Sequence, residues 1–139
     1  MIQNERQYKV TKGQTKKLKD ALKASRATKK NMEPRVYKAM VAGIESQIKE
    51  LNDQLVLYDK LKETKAFTYS SVMELPEILI KTRIARGYTQ KQLAQKLKIA
   101  PQQIQKYEAT HYKSVNLNRI IEISNALNIK FKGKAALAF

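Results

Sequence analysis

TQKQLAQKLKIAPQQIQKYE, residues 89–108, decides how this chain reads. Thr89 offers a side-chain oxygen to cap a helix whose Leu93, Ala94 and Leu97 share an apolar face. Lys98, Ile99 and Ala100 then lead to Pro101, which suits the first turn of a second helix because its missing N–H is not needed there. In that second helix Ile104 and Tyr107 point one way, leaving Gln102, Gln103, Gln105 and Lys106 on the outer faces and leading turn. Ala94 is small enough to let this helix pack closely on the first. Two short helices joined by a tight turn make a rigid wedge. Long amide and amine side chains on such a wedge can enter the DNA major groove, glutamine pairing with adenine and lysine with guanine acceptors.

Working outward, Pro76 opens a helix expected over 76–86, with Leu79, Ile80 and Ile84 inward and Gly87 as its left-handed stop. After the wedge, ATHYKSVN (109–116) is a loop, and Asn116 caps a further helix with Asn118 and Arg119 in its first turn.

GYTQKQLAQKL, the Ile104–Tyr107–Glu108 trio and NLNRIIEISNALNI together resemble the helix-turn-helix domain of phage repressors and Cro proteins, the XRE family, over residues 75–129. The whole chain is similar to XRE regulators that carry a helical N-terminal extension. The resemblance implies that Gln102 and Lys106 read bases, with Gln103 and Gln105 reading bases or phosphates. It implies phosphate contacts for Thr89, Gln90 and Lys91 at the start of the first wedge helix, where the helix's positive end also favours an anion. Further contacts to the DNA backbone fall to His111, Lys113, Asn116, Asn118 and Arg119. Arg83 and Glu108 align with a partly buried ion pair of structural role. Lys98 stands where the family commonly has glycine, and the 109–116 loop lacks the family's usual glycine.

The front half follows different logic. Thr11-Lys-Gly-Gln14 matches a capping box, predicting a helix over 11–27 with Leu18, Ala21 and Leu22 apolar. Nine basic residues between Lys9 and Lys30 face one acid, Asp20. A second helix is expected from about 33 to 62, with Pro34 in its first turn. Tyr37, Val41, Ile44, Ile48, Leu51, Leu55 and Tyr58 alternate four and three apart, a seam of the coiled-coil type that Met40, Leu57 and Leu61 widen. The first helix offers few apolar residues to cover this stripe. A helical hairpin that also pairs with a second copy is therefore expected, the dimer seam being Ile44, Ile48, Leu51, Leu55 and Tyr58. A closed intramolecular hairpin is the alternative.

From Ile129, the residues Phe131, Gly133, Ala135, Leu137 and Phe139 alternate with Lys130, Lys132 and Lys134, a period-two pattern that suggests a short C-terminal strand. A lone strand needs a partner, so an exchanged strand or a docking protein would have to supply one.

The expected organisation is mostly α: a hairpin or coiled coil over 1–70, a repressor-like helix-turn-helix bundle over 71–129, and a tail over 130–139. The 139 residues carry 28 Lys+Arg against 12 Asp+Glu, a formal net charge of +16 that favours polyanionic partners. There is no cysteine and one histidine, His111. With no phosphate-cradling glycine loop and no acidic metal cluster either, neither an enzyme nor a cofactor or metal site is expected. No apolar run approaches a membrane span, and the polar N-terminus is unlike a signal peptide, so a cytoplasmic protein is expected. The sequence thus points to a dimeric, sequence-specific regulator of double-stranded DNA. An antitoxin that sequesters a protein toxin and represses its own operon is the alternative.

Overall fold

The computed structural model describes residues 1–138; Phe139, the last residue of the alternating tail, lies outside them. The described residues hold six α-helices and no strand, divided between two compact units, Met1–Glu63 and the remainder from Thr64.

In the first unit, α1 (Glu5–Ser25) and α2 (Pro34–Glu63) are joined by a short 3₁₀ turn, Arg26–Asn31, and pack against each other. Helix α1 starts earlier than expected. Asn4 is its cap, accepting from the Gln7 backbone N–H at 2.9 Å, while the Gln7 side chain accepts from the Gln3 N–H at 2.7 Å. The Thr11–Gln14 match was therefore a false start signal: Thr11 is buried mid-helix. A capping-box pattern seven residues downstream carries no weight once an Asn-x-x-Gln cap has already satisfied the first free amides.

The face that α1 turns inward is narrow. Tyr8, Thr11, Thr15, Leu18, Leu22 and Ser25 recur at alternating spacings of three and four, all buried or half-buried, whereas Ala21 is exposed. The small hydroxyls stay satisfied by their own helix, Thr15 Oγ1 donating to the Thr11 carbonyl at 2.9 Å and Ser25 Oγ to that of Leu22 at 2.6 Å. Small residues in this seam allow close approach of α2, whose Tyr58 is buried while Ile44, Ile48, Leu51 and Leu55 are half-buried. At the open end of the hairpin the Tyr8 and Tyr58 rings lie 5.0 Å apart, and Tyr8 OH donates to Asp59 Oδ2 at 3.0 Å. Lys62 sits over both rings and bridges to Glu5 at 3.3 Å.

The second unit is built from α3 (Leu75–Ala85), α4 (Gln90–Leu97), α5 (Pro101–Ala109) and α6 (Leu117–Ala126). Its core is Ile78, Leu79, Ile80, Ile84, Leu93, Ala94, Ile104, Ile123 and Leu127, each almost wholly removed from solvent. Gly87 ends α3 at φ 72°, with the Tyr88 N–H returning to the Arg83 carbonyl at 3.0 Å. Helix α6 ends at Asn128 in the same left-handed region, and the Arg86 guanidinium donates to the terminal carbonyls of Leu127 (3.1 Å) and Asn128 (2.8 Å). Those carbonyls have no partner within their own helix, so a cation there satisfies both hydrogen bonding and the helix dipole.

The strand expected at the C-terminus is not formed: 130–138 is irregular. Its neighbour is a side chain, not a ladder. Tyr69 meets Phe131 edge-on at 5.9 Å and donates its hydroxyl to the Lys132 carbonyl at 3.1 Å. A Cβ on Gly133 would come within 3.3 Å of that hydroxyl, so a larger residue there would have to push the ring tip back by a few tenths of an ångström. Period-two patterning sets which residues face inward, but without a second backbone to pair with it makes no sheet.

Candidate nucleic-acid interface

The wedge forms from α4 and α5 as their sequence dictates. Thr89 Oγ1 accepts from the Gln92 N–H at 3.1 Å while Gln92 Oε1 accepts from the Thr89 N–H at 2.9 Å, a reciprocal cap that fixes where α4 begins. Lys98 ends it in the left-handed region, φ 54° and ψ 43°, and the Ile99 N–H closes on the Ala94 carbonyl at 3.0 Å. Lysine thus adopts the conformation glycine would have adopted more easily. Pro101 then opens α5 after Ala100, whose side chain offers no cap.

Helices α4 and α5 pack on each other, and Ala94 on the first and Ile104 on the second are both fully buried. Burying Ile104 leaves Gln102, Gln103, Gln105 and Lys106 exposed around the first two turns of α5. Gln102, Gln105 and Lys106 form no side-chain bond among the described residues. Gln103 differs, donating to the Tyr107 hydroxyl at 2.8 Å. That bond draws its amide back along the helix.

Behind this edge lies a buried ion pair. Arg83 Nε donates to Glu108 Oε1 at 2.5 Å and Nη2 to Oε2 at 3.0 Å, and Nη1 reaches the Tyr88 carbonyl at 2.8 Å. Gln90, half-buried at the start of α4, gives one amide hydrogen to Glu108 Oε2 at 2.7 Å, which leaves its second for an outside acceptor. Its side chain is therefore held by the pair instead of waving in solvent. Lys91 beside it is exposed, and Lys96 covers the Tyr88 ring at 4.8 Å.

The loop after α5 shows how a chain without glycine turns. His111 and Tyr112 are both left-handed, φ 51° and 57°. Two consecutive residues of that kind reverse the chain, leaving His111 and Lys113 outside and driving the Tyr112 ring inward to lie 6.0 Å from that of Tyr107. Burial, and then the nearby charge of Glu108, push the Tyr112 phenol well above its ordinary range. Its hydroxyl finds no hydrogen-bond partner among the described residues. By sequence Tyr112 is one residue of the polar 109–116 loop; the structure puts it in the core. An aromatic in a polar loop was the available signal.

Asn116 caps α6, its Oδ1 accepting from the Arg119 N–H at 2.9 Å. Asn118 is exposed, and Arg119 is drawn to Glu122 at 2.7 Å. From Gly87 to Arg119 the sole acid is Glu108, and it is buried and paired, whereas Lys91, Lys98, Lys106 and Lys113 are exposed. The outward face of this stretch is therefore cationic without any exposed carboxylate to offset it. Also relevant to partners, no helix among the described residues is long and apolar enough to cross a membrane.

Residues 79–133 match the helix-turn-helix family, and this part of the chain is an XRE-type domain of the Cro/C1 kind preceded by a helical region. Such a domain is a DNA-binding module typical of non-enzymatic regulators. No curated protein and no solved structure matches the chain.

Proposed function

We propose that the chain is a sequence-specific DNA-binding transcriptional regulator that acts as a dimeric repressor. The observation that carries this reading is the combination of a buried Ile104 with an exposed Gln102–Gln105–Lys106 edge in a stretch, Gly87–Arg119, that exposes no acid. Helix α5 enters the major groove, where Gln102 and Lys106 read base edges and Gln105 reads a base or a phosphate. Gln103 joins them by exchanging its bond to Tyr107 for one to DNA. Thr89, Gln90, Lys91, His111, Lys113, Asn116, Asn118 and Arg119 hold the sugar-phosphate backbone on either side. Repression follows from occupying a promoter, with neither catalysis nor cofactor.

Dimerisation fits the apolar surface that the hairpin leaves open. Ile44, Ile48, Leu51 and Leu55 are only half-covered by α1, and Val36 and Leu57 stay about half exposed. A shallow groove of about 410 Å³, lined by Leu18 and Leu51 with Gln14, Lys17, Gln47 and Glu50, runs along the same face. A second copy seated there presents two reading helices to a pseudo-twofold site with half-sites one helical turn apart.

Selection of bound duplexes from a random library tests the reading. The intact chain yields a consensus; Gln102→Ala and Lys106→Ala each lose preference at one position, worth about 1–3 kcal/mol of discrimination, while retaining weak binding. An unchanged consensus in both variants would refute the assignment. Sedimentation of the purified chain reads the oligomeric state, and recovery of a different protein in place of a second copy would favour the antitoxin alternative.

A further inference from the structure

The charge of the hairpin is unevenly divided. From Glu5 to Asn31, ten basic residues stand against two acids, whereas α2 carries five of each. Within α1 the cations are not scattered. Lys9, Lys12, Lys16, Lys19, Lys23 and Arg26 follow one another at spacings of three and four, one position on from the Tyr8–Thr11–Thr15–Leu18–Leu22–Ser25 seam. At the helical repeat this places them in a single stripe flanking the seam, on the side away from the Gln14–Lys17 groove.

All six are exposed, and none takes part in an ion pair among the described residues. Elsewhere the same chain does pair its cations: Lys49 with Asp53, Lys62 with Glu5, Lys81 with Glu77 and Arg119 with Glu122. Like charges three and four apart oppose helix formation, and here five successive pairs do so. A stripe meant only for solubility would gain from interspersed acids, as α2 has. The arrangement suits an external row of negative charges.

We infer that this stripe is a second, sequence-independent contact to duplex DNA, gripping the phosphate backbone of the duplex that α5 reads. The inference rests on the DNA-binding reading above and adds to it a surface outside the helix-turn-helix. From Lys9 to Arg26 the stripe is about 26 Å long at 1.5 Å per residue, matching seven to eight base pairs of backbone at about 3.4 Å each. An anionic membrane is a poorer fit, because Leu18 and Leu22 are half-buried and Val10, the one large apolar side chain that α1 leaves exposed, offers too little surface to enter lipid. A duplex is favoured over other polyanions because it is already held by the same chain, which raises its local concentration at the stripe.

The test compares the full chain with Lys12→Gln/Lys16→Gln/Lys19→Gln/Lys23→Gln, a change that keeps good helix formers in place, its fold checked by circular dichroism. On long random duplexes the slope of log affinity against log salt becomes shallower by about 3 to 4, near 0.9 per phosphate released. The consensus selected from a library stays the same. Gln102→Ala/Lys106→Ala, by contrast, keeps the steep slope while losing the consensus, so failure of base reading and failure of the stripe are told apart. A folded quadruple variant with an unchanged salt slope on long duplexes would overturn the inference. So would a loss confined to single-stranded RNA or to anionic phosphatidylserine vesicles, with duplex binding untouched.

Discussion

Glu108 on α5 receives two nitrogens of the Arg83 guanidinium on α3 in a parallel fork, and both side chains are almost wholly buried. The fork ties the reading helix to the helix that precedes the wedge. Gln90 adds a third donor from α4, so one carboxylate gathers three helices. Glu108→Ala strands a buried cation and should cost about 3–5 kcal/mol in the unfolding of this unit. Arg83→Met/Glu108→Leu recovers part of that loss, since an apolar pair leaves no charge unmatched. Denaturant titration of both variants checks the order; a single variant as stable as the parent would contradict a structural role for the pair.

Tyr112 offers a pH-dependent test. Its phenol is held neutral in the folded chain by burial and by the charge of Glu108. The folded value being raised, its contribution is fully present below the ordinary tyrosine value near 10 and is lost as pH rises beyond it. Because the buried hydroxyl has no partner among the described residues, Tyr112→Phe should be neutral or stabilising by about 1 kcal/mol near neutrality. It should also make the alkaline fall in melting temperature shallower. A variant with the same alkaline profile as the parent would count against this account.

Lys98 ends α4 in a conformation that costs a side-chain-bearing residue about 1–2 kcal/mol. Glycine relieves that strain but gives back part of the gain through the freedom it adds to the unfolded chain. Lys98→Gly should therefore raise stability by roughly 0.5–1 kcal/mol. Lys98→Val, stiff and branched, should lower it. Thermal melts of the two variants moving in the same direction would refute the argument.

Asn4 sets the start of α1. Asn4→Ala removes the acceptor for the Gln7 N–H and should cost the hairpin about 1 kcal/mol, whereas Thr11→Ala tests packing and not capping. Amide exchange in the first turn of α1 should accelerate in the former variant alone.

How far the sequence could be read depended on whether its signals were local. Pro34, Gly87, Thr89, Pro101 and Asn116 each act through their own backbone, and each marks an observed helix boundary. Leu79, Ile84, Leu93 and Ile104 follow from helical periodicity and are buried. What escaped notice was non-local or chemically disguised. Leu18 and Leu22 on the inward face of α1 were legible, but the Thr11, Thr15 and Ser25 that complete it are polar, and no hydrophobicity pattern would find them. Arg86 resembles any surface cation until α6 ends beside it. Tyr112 reads as a loop residue because the two left-handed positions that turn it inward have no glycine to announce them. On the candidate interface, the exposure of the α5 edge was legible; the bonds of Gln90 to Glu108 and Gln103 to Tyr107 were not, since each depends on how neighbouring side chains settle.

The alternating tail carries a hazard along with its means of control. With no ladder formed, the unpaired backbone of 130–138 could template stray pairing between molecules, the first step toward aggregates. Phe131 is tucked against Tyr69, and the exposed ammonium groups of Lys130, Lys132 and Lys134 would repel an identical tail approaching in register. These three lysines thus act as gatekeepers of solubility, and any modification that neutralised them would turn a harmless appendage into an adhesive one.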